Sequence, residues 1–181
     1  MVSLIVVGEI GFWVVLSAGL LARYGLRLRR TGAVLLALLP VVDLVILGAT
    51  VADLRGGATA DWTHGLAASY VGFSVAYGRR LVRWADGHAA HRLAGGPKPA
   101  GMPKYGAARA RYEWGVCALT LLASAITVAL IAAVQWLVGD GARTAGLDSW
   151  YPRMGVVVAV NLVVAASYTL FPKRERPGPR A

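Results

Sequence analysis

Five long apolar runs, separated by short polar stretches, divide the chain. About 20 predominantly apolar residues carry a helix across the hydrocarbon core of a bilayer. The runs at 2–22, 33–52, 115–138 and 154–171 each predict a spanning helix of that kind. A further run begins at 63 and is apolar only to Gly78, which is short for a span. It reaches 83 by taking in the residues beyond, with Arg79 and Arg80 extending their charged heads toward the headgroups. Leu81, Val82 and Trp84 then continue that helix along the interface. Pro40, inside the second run, removes a backbone donor and predicts a kink. The only long polar segment is 84–114. Its centre, GGPKPAGMPK, is punctuated by Gly and Pro and predicts a loop; its end, AARARYEW, returns to helix. The pattern predicts an all-α fold: a polytopic transmembrane helical bundle of about five spans, forming a single domain over 1–181.

Charge placement sets the orientation. Sixteen of the nineteen Lys and Arg residues fall in three segments: Arg23 to Arg30, Arg79 to Arg111, and Lys173 to Arg180. Basic flanks are retained in the cytoplasm. The N-terminus is therefore expected outside, the C-terminus inside, and 84–114 as a cytoplasmic loop. A signal peptide carries its positive charge before the apolar run. Here the arginines follow it, so the first run is expected to stay as a helix. Aromatic residues agree with this layout: Trp62, Trp136, Trp150 and Tyr151 at outer edges, Tyr24, Trp84, Tyr112 and Trp114 at inner ones. The location expected is a bacterial cytoplasmic membrane, crossed several times.

Composition excludes several classes. Hydrophobic residues make up 57% and charged residues 15% of the 181 positions. The net charge of +10 lies in the flanks of the apolar runs, so it reads as topology and no nucleic-acid partner is expected. One cysteine, Cys117, gives neither a disulfide framework nor a thiol pair. No phosphate-binding Gly-Lys-Ser/Thr loop, HExxH, GxSxG or dinucleotide fingerprint occurs, so no cofactor, metal or catalytic residue is assigned.

Three polar residues lie deep in apolar runs: Glu9, Asp43 and Asn161. An acid at the centre of a spanning helix costs about 2.5–3.5 kcal/mol on insertion scales, so such residues face a bundle interior and often mark an ion path. At about 1.5 Å per residue all three fall roughly 10–15 Å below the outer surface. Above them lie Asp53, Asp61 and His64, which together form an acidic mouth that attracts cations and protons. Each has a plainer reading. Asn161 serves as interhelical glue, Asp61 caps the third helix, and His64 belongs to the same cap. His88 and His91 share a helical face, but without a carboxylate or thiolate partner they make a weak metal signal. Ala68, Gly72 and Ala76 form a row of small residues, a candidate contact between copies. Thr120, Ser124 and Thr127 share one face of the fourth helix and either line a polar path or bond helix carbonyls. Arg79, Arg80, Arg83 and Arg92 are candidates for binding anionic lipid or a partner.

The stretches GEIGFW, VVDLVILGATVADLRGGATADWTHGLAASYVGFSVAYG, RWAD and SYTLFPK resemble a family of small uncharacterised bacterial integral membrane proteins of the YmcC type. The resemblance runs over most of the chain and is strongest in the first three helices. It implies a multi-span inner-membrane protein, and it supplies no activity and no site residue to carry over.

These readings lead to three expectations of function. One is a small cation- or proton-linked permease or channel, with Glu9 and Asp43 as embedded exchange groups and a homo-oligomer completing the path. Another is a non-transporting scaffold whose basic loop binds a partner or anionic lipid. The third is a lipid-headgroup enzyme at the outer surface, using Asp53, Asp61 and His64.

Overall fold

A computed structural model describes residues 51–172 without a break, and before them residues 10–11, 14–15, 17–26, 28, 31–32, 34–35, 41, 45 and 48–49. The described residues are helical or connecting, with no strand among them. Residues 17–20 run as α-helix into a π-turn, Leu21–Gly25. Gly32 then returns against that turn: a Cβ there would lie 2.6 Å from the Gly19 carbonyl oxygen, so only Gly allows so close a reversal.

Two long helices dominate the rest: α1, Trp62–Ala94, and α2, Gly106–Val138. They are joined by the irregular segment 95–105, where the sequence predicts a loop. Both end on a glycine in the left-handed conformation, Gly95 (φ 63°) and Gly139 (φ 67°), which closes the last turn without a Cβ penalty. A four-residue turn, α3 (Gly141–Thr144), a 3-10 turn (Ala145–Leu147) and α4 (Trp150–Leu170) follow. Helix α2 packs against both α1 and α4. Its buried residues explain why: Glu113, Cys117, Thr120, Ser124, Thr127, Ile131 and Val134 recur at spacings of three and four, a single helical stripe. At 33 residues each, α1 and α2 are about 50 Å long, whereas the hydrocarbon core of a bilayer is about 30 Å thick.

The small-residue row lies in the α1–α2 seam. Ala68 and Ala76 are buried, and a Cβ on Gly72 would fall 2.6 Å from the Ala123 carbonyl oxygen and onto the Thr127 hydroxyl. The row is therefore consumed within the chain, which corrects the expectation that it faces another copy. At the Asp61 end of the bundle, Leu54, Ala68, Val71, Ile131, Val134, Leu147, Trp150 and Met154 form the hydrophobic core. Trp150 is a core residue here, 7% exposed, while Trp62 and Trp136 keep the outward position expected of interfacial aromatics. The bare backbone of Gly65 makes this possible, since a Cβ there would overlap the Trp150 indole.

Part of the apolar surface of α2 and α4 is left uncovered. Val156, Val160, Val163 and Leu170 on α4 and Leu121, Leu122 and Trp136 on α2 are exposed. Among the described residues two helical stretches, Gly106–Val138 and Gly141–Leu170, are long and apolar enough to cross a membrane.

Candidate functional site

Asp53, Asp61 and His64 converge. Asp53 sits in the helical residues 51–55; Asp61 is the N-cap of α1, and His64 is in its first turn. The cap folds this way because Asp61 Oδ1 accepts from the Thr63 amide (2.9 Å) and from the Thr63 hydroxyl, satisfying donors that a helix start leaves orphaned. His64 Nδ1 closes the box, 3.1 Å from the Asp61 amide and 2.8 Å from Asp61 Oδ1. Thr63's hydroxyl is the largest influence holding the Asp61 carboxyl below its ordinary value of 3.8; desolvation opposes it, and His64 and the Thr63 amide add to it. The His64 side chain is only 3% exposed, and its Nε2 lies 3.9 Å from Asp53 Oδ2 with no hydrogen-bond partner.

Neighbouring segments hold this cluster in place. Arg55 donates through Nε (3.2 Å) and Nη2 (2.9 Å) to the Leu137 carbonyl, one of the free acceptors at the end of α2. The Ala60 amide donates to the Arg143 carbonyl (2.7 Å), and Gly146 presses its backbone against the Ala60 carbonyl. Asp140 and Arg143 pair at 3.1 Å, and Gln135 bridges Asp148 (2.8 Å) and the Tyr151 hydroxyl (2.6 Å). Among the described residues no group of three or more His, Cys, Asp or Glu side chains is arranged to hold a metal ion.

Deeper in the bundle, Asn161 joins a chain of hydrogen bonds across three helices. The Tyr77 hydroxyl lies 2.6 Å from Thr120 Oγ1, which lies 3.2 Å from Asn161 Oδ1, while Asn161 Nδ2 donates to the Val157 carbonyl (3.0 Å). Thr120 and Thr127 also approach the carbonyls of Val116 and Ala123 four residues back, as hydroxyls in spanning helices do. Glu9 and Asp43 lie outside the described residues.

The four candidate arginines part company. Arg79, Arg83 and Arg92 are exposed, whereas the Arg80 guanidinium lies over the Tyr112 ring at 4.4 Å, inside the α1–α2 contact. His88 and His91 are occupied by their own helix end: each has Nδ1 within hydrogen-bond reach of a carbonyl, Trp84 (2.9 Å) and Gly96 (2.8 Å) respectively. The sequence reading passed over Arg109 and Glu113, a largely buried ion pair on α2, with Arg109 over the Tyr168 ring at 4.8 Å. Their four-residue spacing was the available signal. Arg23, at the π-turn, pairs with Asp86 of α1 at 3.2 Å and so ties the early segment to the long helix.

Regular structure that is entirely helical among the described residues, an uncovered apolar surface and polar side chains bonded from helix to helix are the properties of a helical membrane protein. The chain is 36% identical over 174 residues to the "Uncharacterized membrane protein YmcC" of Bacillus subtilis (strain 168), covering 96% of this chain and 93% of that protein. It belongs to the YmcC family of membrane proteins. No family model matches the chain. No solved structure matches it.

Proposed function

We propose that the chain is a multi-pass protein of the bacterial cytoplasmic membrane, N-terminus outside and C-terminus inside, that acts as a small cation- or proton-linked permease or channel. One observation carries this reading: Asp53, Asp61 and His64, set in one polar stretch between apolar runs, gather into one cluster with the imidazole held between two carboxylates. An acidic mouth concentrates cations and protons at the opening of a path. Glu9 and Asp43 serve as the exchange groups within the membrane, and a homo-oligomer supplies the helices that one chain lacks.

Cation and proton flux into proteoliposomes tests it, with wild type beside Asp43→Asn and Glu9→Gln, each verified as folded. Flux in the wild type and its loss in both folded variants is the expected result. A wild type without flux across pH and the common cations sinks the permease reading.

A second reading, a scaffold bound to anionic lipid or a partner, is favoured by the exposed Arg79, Arg83 and Arg92 beside the exposed Leu81 and Trp84. It predicts that replacing those arginines abolishes association while Asp43→Asn does not. A headgroup enzyme at this cluster is disfavoured, because His64 Nε2 is closed off from solvent and faces a carboxylate.

A further inference from the structure

Basic side chains gather at the end of the bundle where α1 finishes and α2 begins. Between 79 and 113 the chain carries eight Lys and Arg residues and two acids, Asp86 and Glu113. Both acids are committed within the protein: Asp86 pairs with Arg23 at 3.2 Å, and Glu113 with Arg109. The other seven basic side chains have no carboxylate partner among the described residues.

Three of them, Arg79, Arg80 and Arg83, stand at the edge of the uncharged helical stretches. Helix α1 has no Asp, Glu, Lys or Arg from Trp62 to Gly78, and α2 has none from Gly115 to Val138. The Arg80 guanidinium lies 4.4 Å over the ring of Tyr112, whose position is about 4.5 Å outside Gly115 along the helix. Arg83 is one turn beyond Arg79, about 6 Å along the axis. The headgroup layer is about 5–7 Å deep on each side of the hydrocarbon core, so the three arginines fall within it. Trp84 and Trp114, both exposed, flank the same level as interfacial aromatics do.

Two of these heads are held from within. Arg80 rests on its ring, and Arg83 Nε donates to the Arg79 carbonyl (3.3 Å), which leaves the terminal nitrogens of Arg83 for a ligand. A guanidinium already fixed in place loses less freedom on binding, and its fork matches a phosphate. The lysines of the loop stand farther out. Pro99 packs against Gly87, eight residues or about 12 Å past Arg79, and so carries Lys98 to that level. Lys104 precedes Gly106, itself about 13 Å outside Gly115. Attraction to an anionic surface fades within about 8 Å at physiological salt, so these lysines contribute less than the arginines.

We propose that Arg79, Arg80 and Arg83 form a binding site for the phosphate of an anionic phospholipid. The site deepens the lipid-binding alternative given above and rests on α2 and α4 crossing the bilayer. Each well-placed basic residue strengthens such binding about fivefold.

Native mass spectrometry of the full chain in neutral detergent, titrated with phosphatidylglycerol or phosphatidylcholine, tests it. Phosphatidylglycerol is expected to bind at least tenfold more tightly. Arg79→Gln combined with Arg83→Gln, two exposed positions, is expected to weaken phosphatidylglycerol binding about twentyfold and to leave phosphatidylcholine within threefold. Lys98→Gln combined with Lys104→Gln removes the same charge from the loop and is expected to change neither lipid by more than threefold. Circular dichroism verifies that both variants are folded. Equal binding of the two lipids by the wild type would overturn the site. So would an equal loss in the two variants, which would leave only net charge, or a loss confined to the loop variant, which would move binding to an acidic partner at the tip. Binding of neither lipid would overturn the site and the spanning helices together. No arm of the test reads flux, so its failure and that of the permease reading are separable.

Discussion

The close approach of the two long helices at Gly72 can be tested by a single methyl group. Adding a Cβ at Gly72 places it 2.6 Å from the Ala123 carbonyl oxygen, 0.8 Å short of the 3.4 Å at which ordinary contact begins. The obstacle is backbone, and the Thr127 amide nitrogen lies only 3.1 Å away, so side-chain rotation brings no relief. The helices must part or shift. Overpacking of this kind costs about 1–3 kcal/mol. Gly78, about one and two-thirds turns on, has nothing within 4 Å of its Cβ position. There the same substitution gains only the helix preference of Ala over Gly, up to about 1 kcal/mol. Gly72→Ala receives that same gain, so the difference between the variants isolates the crossing: Gly72→Ala is expected to be less stable than Gly78→Ala by about 1–3 kcal/mol. Reversible unfolding by SDS in mixed micelles, followed by circular dichroism, supplies the comparison. Equal stability of the two variants would refute the close α1–α2 packing.

Three further outcomes follow from contacts at the mouth and in the bundle. Asp61→Ala removes the N-cap of α1 and is expected to cost about 1 kcal/mol in the same unfolding assay. Because the folded Asp61 carboxyl is held below its ordinary 3.8, its contribution is full above that value and is lost as pH falls through the folded value. An Asp61→Asn protein should therefore lose less stability between pH 5 and pH 3 than wild type does, and an equal loss would count against the cap. Asn161→Leu breaks the Tyr77–Thr120–Asn161 chain and is expected to cost about 0.6 kcal/mol, with coupling to Thr120→Val in a double-mutant cycle.

Much of this architecture was legible because its signals are local. The Asp61 cap, the Gly-Pro loop and the shared face of Thr120, Ser124 and Thr127 depend on residues three or four apart, and each stands where the sequence predicts. The contacts that assemble the Asp53–Asp61–His64 end are not local. Arg55 reaches Leu137, Ala60 meets Arg143, and Trp150 rests on Gly65, across separations no periodicity encodes. Trp150 shows the limit most clearly. An aromatic residue at the predicted edge of a span reads as an interfacial anchor, and only the missing side chain at Gly65 opens the space that takes it into the core. The convergence of Asp53 with His64 was legible only as two acids and a histidine in one polar stretch. The pairing of both ring nitrogens with carboxylates needed the fold.

The excess length of the α1–α2 hairpin has a consequence for how the protein settles in membranes of different thickness. Helix α4, at 21 residues, is about 31 Å long and matches one hydrocarbon layer, while α1 and α2 overrun it. Along that overrun, Arg79, Arg83 and Arg92 project at intervals that cover about 20 Å of helix. A helix with one basic ring has a single preferred depth, and a thicker bilayer forces it to straighten or to thin the lipid around it. Three basic side chains spread along α1 can extend their charged heads toward headgroups from more than one depth, so the fit to a thicker or thinner bilayer would not hang on a single arginine.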